Sequence, residues 1–494
     1  MKLIKKIAAI MFAFMMVVSM SCNVKADEGT TPTTGKTGTI TINNAIPEQT
    51  YTIYKILDLE SYSPKEENGK ETGNFAYKPS SEWESFINGK NVKDKYFTFE
   101  GEYVSWKENA DPAEFAKLAL DYAKTNSKAN QGSVTASSTP VQFTGLGLGY
   151  YLVDSSVGTL CSLDTTKSAA TIQEKNGVPS VDKIITSGGV VSADGKSNSA
   201  SIGDTVNFKT TITAQPGAQN YVLHDKMTDG LTFNNTVEVK KGKSTVESSK
   251  YTLNTTGLTD GCAFEIEFTQ DFCDTLNAND TITVTYSAVL NEKAEIGNVD
   301  NNTNETWLKY GDSKNTQHKT TTTKTFEMNV FKFYKDKKNS DTETGLAGAT
   351  FKLTKDSKDA ENISFVKTSD KSAAEDVYRV AKTGETVTTI TSPKSGKFTI
   401  QGLGAGTYFL TETKQPDGYN KLAKPVKVEI KDNGEIFVDD SKTANIGDVK
   451  VENKSGTVLP STGGAGTTMI YLVGAVLVLG SGVVLATKRR VKNK

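Results

Sequence analysis

The stretch GTYFLTET, residues 406–413, indicates the fold class, because its alternation shows which side chains face a core. Tyr408, Leu410 and Glu412 share one face, since successive side chains of an extended strand point to opposite sides. That face is apolar except for the carboxylate near its end. Burial of a lone carboxylate is costly unless it finds a partner. The stretch therefore predicts a β-strand whose glutamate meets a complementary group inside a core.

The strands at the two ends of the same segment supply complementary polar groups. In FEMNVFKFYK we assign Phe331, Phe333 and Lys335 to the inward face, and the inward face of DVKVEN ends on Asn453. The alternation thus predicts that a lysine, a glutamate and an asparagine share one core.

An earlier segment repeats this order of polar groups. Lys183, Asp225 and Asn304 each alternate in phase with the apolar residues of their own strands. Asn301 and Asn302 lie beside Asn304 and stay alternatives to it. Two segments are therefore predicted to turn Lys, an acid and Asn inward.

Two interpretations of these groups stay open on the residues alone. The first is structural: strand-end charges that reach solvent, or a buried, hydrogen-bonded ion pair. The second is chemical, because a desolvated lysine loses its proton and becomes a nucleophile, while a desolvated carboxyl keeps its proton and can donate it. The lysine can then attack the asparagine amide carbon and expel ammonia. The product is an isopeptide bond between the first and last strands.

Composition supports a β fold and argues against nucleic-acid binding. The chain has 494 residues and a formal net charge of −1, so nucleic acid is not an electrostatically favoured partner. Short strand-like runs with regular turn signals predict an all-β protein of tandem Ig-like β-sandwich domains. One minor helix is predicted in the first domain, from an N-cap, a proline and an apolar stripe: Asp111, Pro112, Phe115, Leu118, Ala119 and Tyr122.

The two ends of the chain are targeting segments. Met1 to Ala26 has the charged, apolar and small-residue order of a signal peptide cleaved after Ala26, with a lipoprotein alternative at Cys22. Residues 469–486 form an apolar run long enough to span a bilayer, and basic residues follow it. We place the segments as follows: signal peptide 1–26, N-terminal domain 27–175, middle domain 176–325, C-terminal domain 326–456 and sorting region 457–494.

The sorting region contains LPSTG, which is Leu459, Pro460, Ser461, Thr462 and Gly463. Followed by an apolar span and a basic tail, it resembles the LPXTG cell-wall sorting signal of Gram-positive surface proteins. The resemblance implies that a sortase cleaves after Thr462 and transfers its carboxyl group to an amine. The chain would then be a secreted protein of the cell wall, with 469–486 as a transient membrane tether.

The body resembles the backbone pilins of sortase-assembled pili. YFLTETKQPDGYN is similar to the pilin E-box, and its segment resembles a collagen-binding-protein (Cna) B-type domain. The resemblance implies bonds from Lys335 to Asn453, assisted by Glu412, and from Lys183 to Asn304, assisted by Asp225. No internal bond is predicted in the N-terminal domain.

Lys175, in QEKN, is similar to the pilin lysine that accepts the sorting-signal threonine of the next subunit. The resemblance implies head-to-tail joining of Thr462 to Lys175, which gives a filament rather than a ring. The reverse assignment, with Lys183 as the joining lysine, stays open.

Together these features predict a pilus shaft subunit with a role in surface adhesion, not an enzyme in turnover, and no cofactor or metal. The expected partners are a sortase, further copies of the chain, minor pilins and peptidoglycan, with the host ligand unknown. A monomeric wall-anchored adhesin and a minor or basal pilin stay alternatives. His224 is expected on the surface, and Cys262 and Cys273 are expected as small buried thiols, with pairing left open.

Overall fold

The computed structural model describes residues 31–32, 37–63, 66–67, 70–71, 74–155, 158–160, 169–174, 176–297, 300–335, 342–368, 375–443, 448–457 and 465–491. The chain divides into two compact units, one formed mainly by residues up to Phe326 and the other mainly by residues from Glu327. The predicted all-β class is confirmed, with the sheets falling into three consecutive sets along the chain. The predicted domain limits themselves stay predictions.

The first set of strands surrounds two apolar clusters. One sheet has the order β12-β11-β3-β6-β8-β7, with β1 and β9 also pairing β3, and a second has the order β10-β2-β13. The strands are β1 Thr31–Pro32, β2 Thr37–Asn43, β3 Thr50–Ser63, β4 Glu66–Glu67, β5 Lys70–Glu71, β6 Asn74–Pro79, β7 Phe97–Glu100, β8 Tyr103–Trp106, β9 Gly132–Thr135, β10 Val141–Gly147, β11 Gly149–Ser155, β12 Gly158–Leu160 and β13 Ala169–Gln173. The helices are α1 Glu84–Ile87, α2 Lys90–Tyr96 and α3 Pro112–Thr125.

The predicted helix is α3, and its start is as expected. The backbone N–H of Glu114 donates to Asp111 Oδ1 at 3.3 Å, which is the N-cap contact. The buried face differs from the predicted stripe, because Leu118 is 40% exposed while Ala116 and Leu120 are buried. The buried face is formed by Phe115, Ala116, Ala119, Leu120 and Ala123, and at 3.6 residues per turn Leu118 lies outside it.

The second set of strands forms a β-sandwich. One sheet has the order β14-β17-β23-β19-β20, and the other β15-β16-β26-β24-β18-β22-β21 with β25 on β24. Phe208 and Val284 of the first sheet share one apolar core with Leu223 and Ile266 of the second. The elements are β14 Ser180–Ser187, β15 Val190–Val191, β16 Ser197–Ser199, β17 Thr205–Thr213, β18 Val222–Met227, β19 Leu231–Lys241, β20 Ser244–Thr245, β21 Tyr251–Asn254, β22 Phe264–Phe268, α4 Gln270–Cys273, β23 Thr281–Leu290, β24 Thr303–Tyr310, β25 Lys314–Asn315 and β26 Lys319–Lys324.

The third set is also two packed sheets, with orders β28-β27-β33-β31-β30 and β32-β29-β34-β35-β36-β37. The first strand, β27, pairs in parallel with the last, β38. The rings of Phe351 and Phe398 meet across the two sheets at 5.6 Å. The strands are β27 Phe326–Lys335, β28 Glu343–Gly345, β29 Thr350–Lys355, β30 Phe365–Thr368, β31 Asp376–Val380, β32 Ile390–Thr391, β33 Lys397–Leu403, β34 Gly406–Lys414, β35 Val426–Ile430, β36 Ile436–Val438, β37 Ser441–Lys442 and β38 Asp448–Glu452.

The last helix, α5 at Ala465–Val491, contains the predicted apolar span. Its stretch Met469–Arg489 is long and apolar enough to cross a membrane.

Candidate isopeptide sites

The sequence of β27 places Lys332 inside the third sandwich. Phe326, Met328, Val330 and Lys332 alternate on the buried face of this strand. Lys332 is 0% exposed, although lysine is almost never fully buried unless it is paired. The strand therefore carries an amine into the core.

The prediction that Lys335 faces inward is wrong. Lys335 is exposed at the end of β27, three residues beyond Lys332. The inward phase was assigned from Phe331 and Phe333, but only Phe333 of these two is buried, and their rings stack at 5.3 Å. Near its end β27 is covered on both sides, so alternation there does not identify the core face. The earlier alternation of Phe326, Met328 and Val330 was the signal that could have found Lys332.

Lys332 lies against Asn453, which follows the parallel partner strand β38. The Lys332 amine donates a short hydrogen bond to Asn453 Oδ1 and a second one, of 3.1 Å, to the carbonyl oxygen of Val451. The backbone N–H of Asn453 donates to the Phe333 carbonyl at 3.0 Å, which extends the β27–β38 ladder. The first and last strands of this sandwich thus bring the amine to the amide.

Glu412 completes this cluster from β34 in the facing sheet. Asn453 Nδ2 donates to both carboxylate oxygens of Glu412, at 3.0 and 3.2 Å, and to the Asn420 carbonyl at 2.9 Å. Glu412 Oε2 also accepts the backbone N–H of Leu422 at 2.9 Å. The predicted inward positions of Glu412 and Asn453 agree with their exposures of 2% and 1%.

Burial makes the Lys332 amine easier to deprotonate. Desolvation lowers its pKa from 10.5 to about 8, against the opposing attraction of the Glu412 and Glu452 carboxylates. A neutral amine is therefore accessible near physiological pH.

The arrangement of these three side chains can support amide exchange. Lys332 Nζ can attack Asn453 Cγ, forming the Nζ–Cγ bond, while the Cγ–Nδ2 bond breaks. The Glu412 carboxyl touches Nδ2, so it can pass the proton lost by the amine to the departing nitrogen. One ammonia leaves, and no oxidant or cofactor is needed.

The second sandwich contains the predicted lysine, aspartate and asparagine. Lys183 on β14, Asp225 on β18 and Asn304 on β24 are each 0% exposed. Lys183 Nζ lies 2.5 Å from Asp225 Oδ2. Here the amine and the amide come from the two facing sheets, whereas in the third sandwich both come from one sheet.

Tyr286 on β23 joins this cluster, and the sequence prediction missed it. Its hydroxyl makes short hydrogen bonds with the Lys183 amine and the Asp225 carboxyl, and it accepts Asn304 Nδ2 at 3.4 Å. The signal was a tyrosine in phase with buried Val284 and the other inward residues of β23, because a buried phenol needs a polar partner.

Complete burial favours the neutral forms of this pair. Desolvation lowers the pKa of Lys183 and raises the pKa of Asp225, and both effects outweigh the attraction between the two groups. Burial therefore shifts this pair from an ion pair towards a neutral amine facing a protonated carboxyl. These are the protonation states that a nucleophile and a proton donor require.

The neighbouring asparagines occupy other positions. Asn302 is buried but exchanges hydrogen bonds with the Glu295 backbone at 2.8 and 2.9 Å, and Asn301 is exposed and donates to the Glu295 carboxylate. Among the three candidates, Asn304 is the one that contacts the Tyr286 hydroxyl.

Other predicted sites lie outside the described residues. These are Lys175, the sorting motif 459–463, the signal peptide and Cys161. Cys262 and Cys273 are both free thiols, and Cys273 is buried while Cys262 is partly exposed.

Comparison with known families finds two matches. Residues 332–444 match the SpaA family, a prealbumin-like fold domain, and residues 451–494 match the LPXTG cell wall anchor motif. Comparison with curated proteins finds no match. The anchor motif and the apolar helix α5 place the chain at the cell wall, as predicted.

Several solved structures are similar to this chain. The T6 backbone pilin of serotype M6 Streptococcus pyogenes is 15% identical, with a TM-score of 0.52, over 86% of this chain and 100% of that one. The RrgB pilus protein of Streptococcus pneumoniae is 16% identical, with a TM-score of 0.49, over 88% and 100%. The group B streptococcus pilus 2b backbone protein is 26% identical, with a TM-score of 0.42, over 56% and 99%. The chain therefore has the β fold of a Gram-positive backbone pilin and carries a prealbumin-like SpaA domain and an LPXTG cell wall anchor motif.

Proposed function

We propose that this chain is the shaft subunit of a covalent Gram-positive pilus. A sortase cleaves between Thr462 and Gly463, and the Thr462 acyl group is transferred to the Lys175 amine of the next subunit. Lys183–Asn304 and Lys332–Asn453 isopeptide bonds form autocatalytically within each subunit. The bond to Lys332 replaces the one expected at Lys335.

The observation that carries the proposal is the pair of buried lysine, acid and asparagine clusters. Lys332 and Asn453 are 121 residues apart, and Lys183 and Asn304 have the same separation. Each cluster joins strands near the two ends of one sandwich. A bond at each site would carry tension past almost the whole sandwich, which a shaft under load requires.

The position of Lys175 fits this load path. Tension that enters at Lys175 and leaves at Thr462 passes residues 183, 304, 332 and 453 along the covalent chain. Residues 27–174 lie off that path, and this agrees with the absence of a predicted bond in the N-terminal domain. Lys183 is 0% exposed, which argues against it as the lysine that a sortase must reach.

The test is the covalent polymer in wall extracts. Lys175→Ala should abolish the ladder of high-mass species while leaving monomer production intact. Exposed Lys243 supplies the matched control, and Lys243→Ala should leave the ladder unchanged. A ladder that persists in Lys175→Ala would remove this lysine from the joining reaction. Monomer attached to peptidoglycan with no ladder in the parent strain would indicate a monomeric adhesin instead.

A further inference from the structure

A group of mixed metal-ligand side chains lies on the outer face of the second sandwich. His224 on β18 is paired in register with Glu265 on β22, and the loop before β22 adds Asp260 and Cys262. His224 points away from the core that its neighbour Asp225 enters. This cluster is therefore separate from the isopeptide site.

The donor atoms of the four side chains converge. His224 Nδ1 lies 2.9 Å from Asp260 Oδ2 and 3.0 Å from Glu265 Oε1. Cys262 Sγ lies 3.2 Å from Asp260 Oδ2 and 3.9 Å from His224 Nδ1. All four donor atoms lie within 4.8 Å of one another. The ligands of a tetrahedral ion with bonds of about 2.0–2.3 Å are separated by similar distances, roughly 3.3–3.8 Å.

The surroundings hold these ligands in place. The His224 ring stacks on Trp307 with centroids 4.9 Å apart and planes 6° from parallel, so its Nδ1 edge is fixed towards the cluster. The opposite atom, Nε2, is buried and makes no hydrogen bond to the described residues. The backbone N–H of Cys262 donates to Asp260 Oδ1 at 3.0 Å, which fixes the loop.

The carboxylates of the cluster are not paired with lysine or arginine. Within the described ranges, neither Asp260 nor Glu265 forms an ion pair with such a residue, and both carboxylates contact the His224 ring. Lys226 is nearby but donates to the Asp260 carbonyl at 3.3 Å rather than to its carboxylate. A bound dication would neutralise the negative charge of the two carboxylates.

We propose that His224, Asp260, Cys262 and Glu265 bind one divalent ion of the zinc class. An imidazole nitrogen and a sulfur ligand favour zinc over calcium or magnesium, which prefer oxygen ligands throughout. Binding replaces the thiol proton with metal and ties β18, β22 and the 260–262 loop together. It also shields a partly exposed thiol in a protein that is secreted to the cell surface.

Cobalt substitution tests this site on the full chain purified in detergent. Titration with Co²⁺ alone should give one ion per chain, with the intense visible bands of a tetrahedral site and a thiolate charge-transfer band. Zn²⁺ should displace it. Cys262→Ala and His224→Gln should each weaken Zn²⁺ binding by about 100-fold or more, since even second-shell changes typically cost 10–100-fold.

The other histidine provides a matched control. His318 stacks on the opposite side of Trp307 at 4.5 Å and pairs with Glu305, so His318→Gln should leave Zn²⁺ affinity unchanged. Retention of the Lys183–Asn304 bond, read from intact mass, shows that each variant folds. The proposal is overturned if Co²⁺ gives only an octahedral spectrum. It is equally overturned if folded Cys262→Ala binds Zn²⁺ as the parent does, or if His318→Gln is weakened as much as His224→Gln.

Discussion

Exchange of one lysine on β27 should remove one covalent bond, and exchange of its near neighbour should not. Lys332→Met replaces the buried amine by an apolar side chain of similar length. Lys335→Met makes the same change at an exposed position on the same strand. A chain with both bonds is lighter than its sequence mass by two ammonias. We expect Lys332→Met to be lighter than its own sequence mass by only one. The second should keep both ammonia losses.

The magnitude follows from the loop that the bond closes. Lys332 and Asn453 are 121 residues apart. A cross-link over such a loop lowers the entropy of the unfolded chain and so raises its free energy by about 5 kcal/mol. Loss of the bond should therefore lower the melting temperature of this unit by roughly 20 °C. The unpaired Asn453 oxygen adds a smaller cost of about 1–3 kcal/mol.

Intact-mass spectrometry, peptide mapping and calorimetry measure these effects on one sample. Mapping should find the Lys332–Asn453 cross-linked peptide in the parent and in Lys335→Met. If Lys332→Met still loses both ammonias, or if Lys335→Met retains one, the assignment of the nucleophile from burial is refuted. A lost bond without a large drop in melting temperature would refute the loop-entropy argument alone.

Three further predictions concern the chemistry of the two sites. Asp225→Asn should restore one ammonia to the intact mass through loss of the Lys183 bond, whereas an unchanged mass would show that this carboxyl is not required. Tyr286→Phe should slow formation of the same bond by about 10- to 100-fold, because the Tyr286 hydroxyl positions the amine, the acid and the amide. A time course of the intact mass after refolding measures the rate. A rate equal to that of the parent would contradict this role of Tyr286. The third prediction concerns chain that is recovered unfolded and unreacted and is then refolded. The Lys332 bond should form about five times faster at pH 8 than at pH 7, and the rate should level off above about pH 9. The reason is that the protonated amine is not nucleophilic and that the pKa of Lys332 is about 8. A rate that falls as the pH rises would contradict the role of the neutral amine.

Much of both candidate sites could be predicted from the sequence. The inward positions of Lys183, Asp225, Asn304, Glu412 and Asn453 follow from strand alternation, and each is at most 2% exposed. Alternation is reliable at these positions because the two faces of each strand differ clearly in polarity. The resemblance to backbone pilins then suggested the chemistry that alternation alone left open.

Local period and short motifs in the sequence were enough to predict the β class, the anchor motif with its apolar span, and the inward positions of five of the six lysine, acid and asparagine side chains in the two clusters. The tertiary structure was needed to place Lys332 in the core and Lys335 outside it, since the adjacent Lys332 and Phe333 are both buried and the alternation of β27 is ambiguous there. Only the tertiary structure brought Tyr286 to Lys183 and gathered His224, Asp260, Cys262 and Glu265. These contacts arise between strands distant in sequence, and register and sheet packing, which are not local properties, decide which side chains meet.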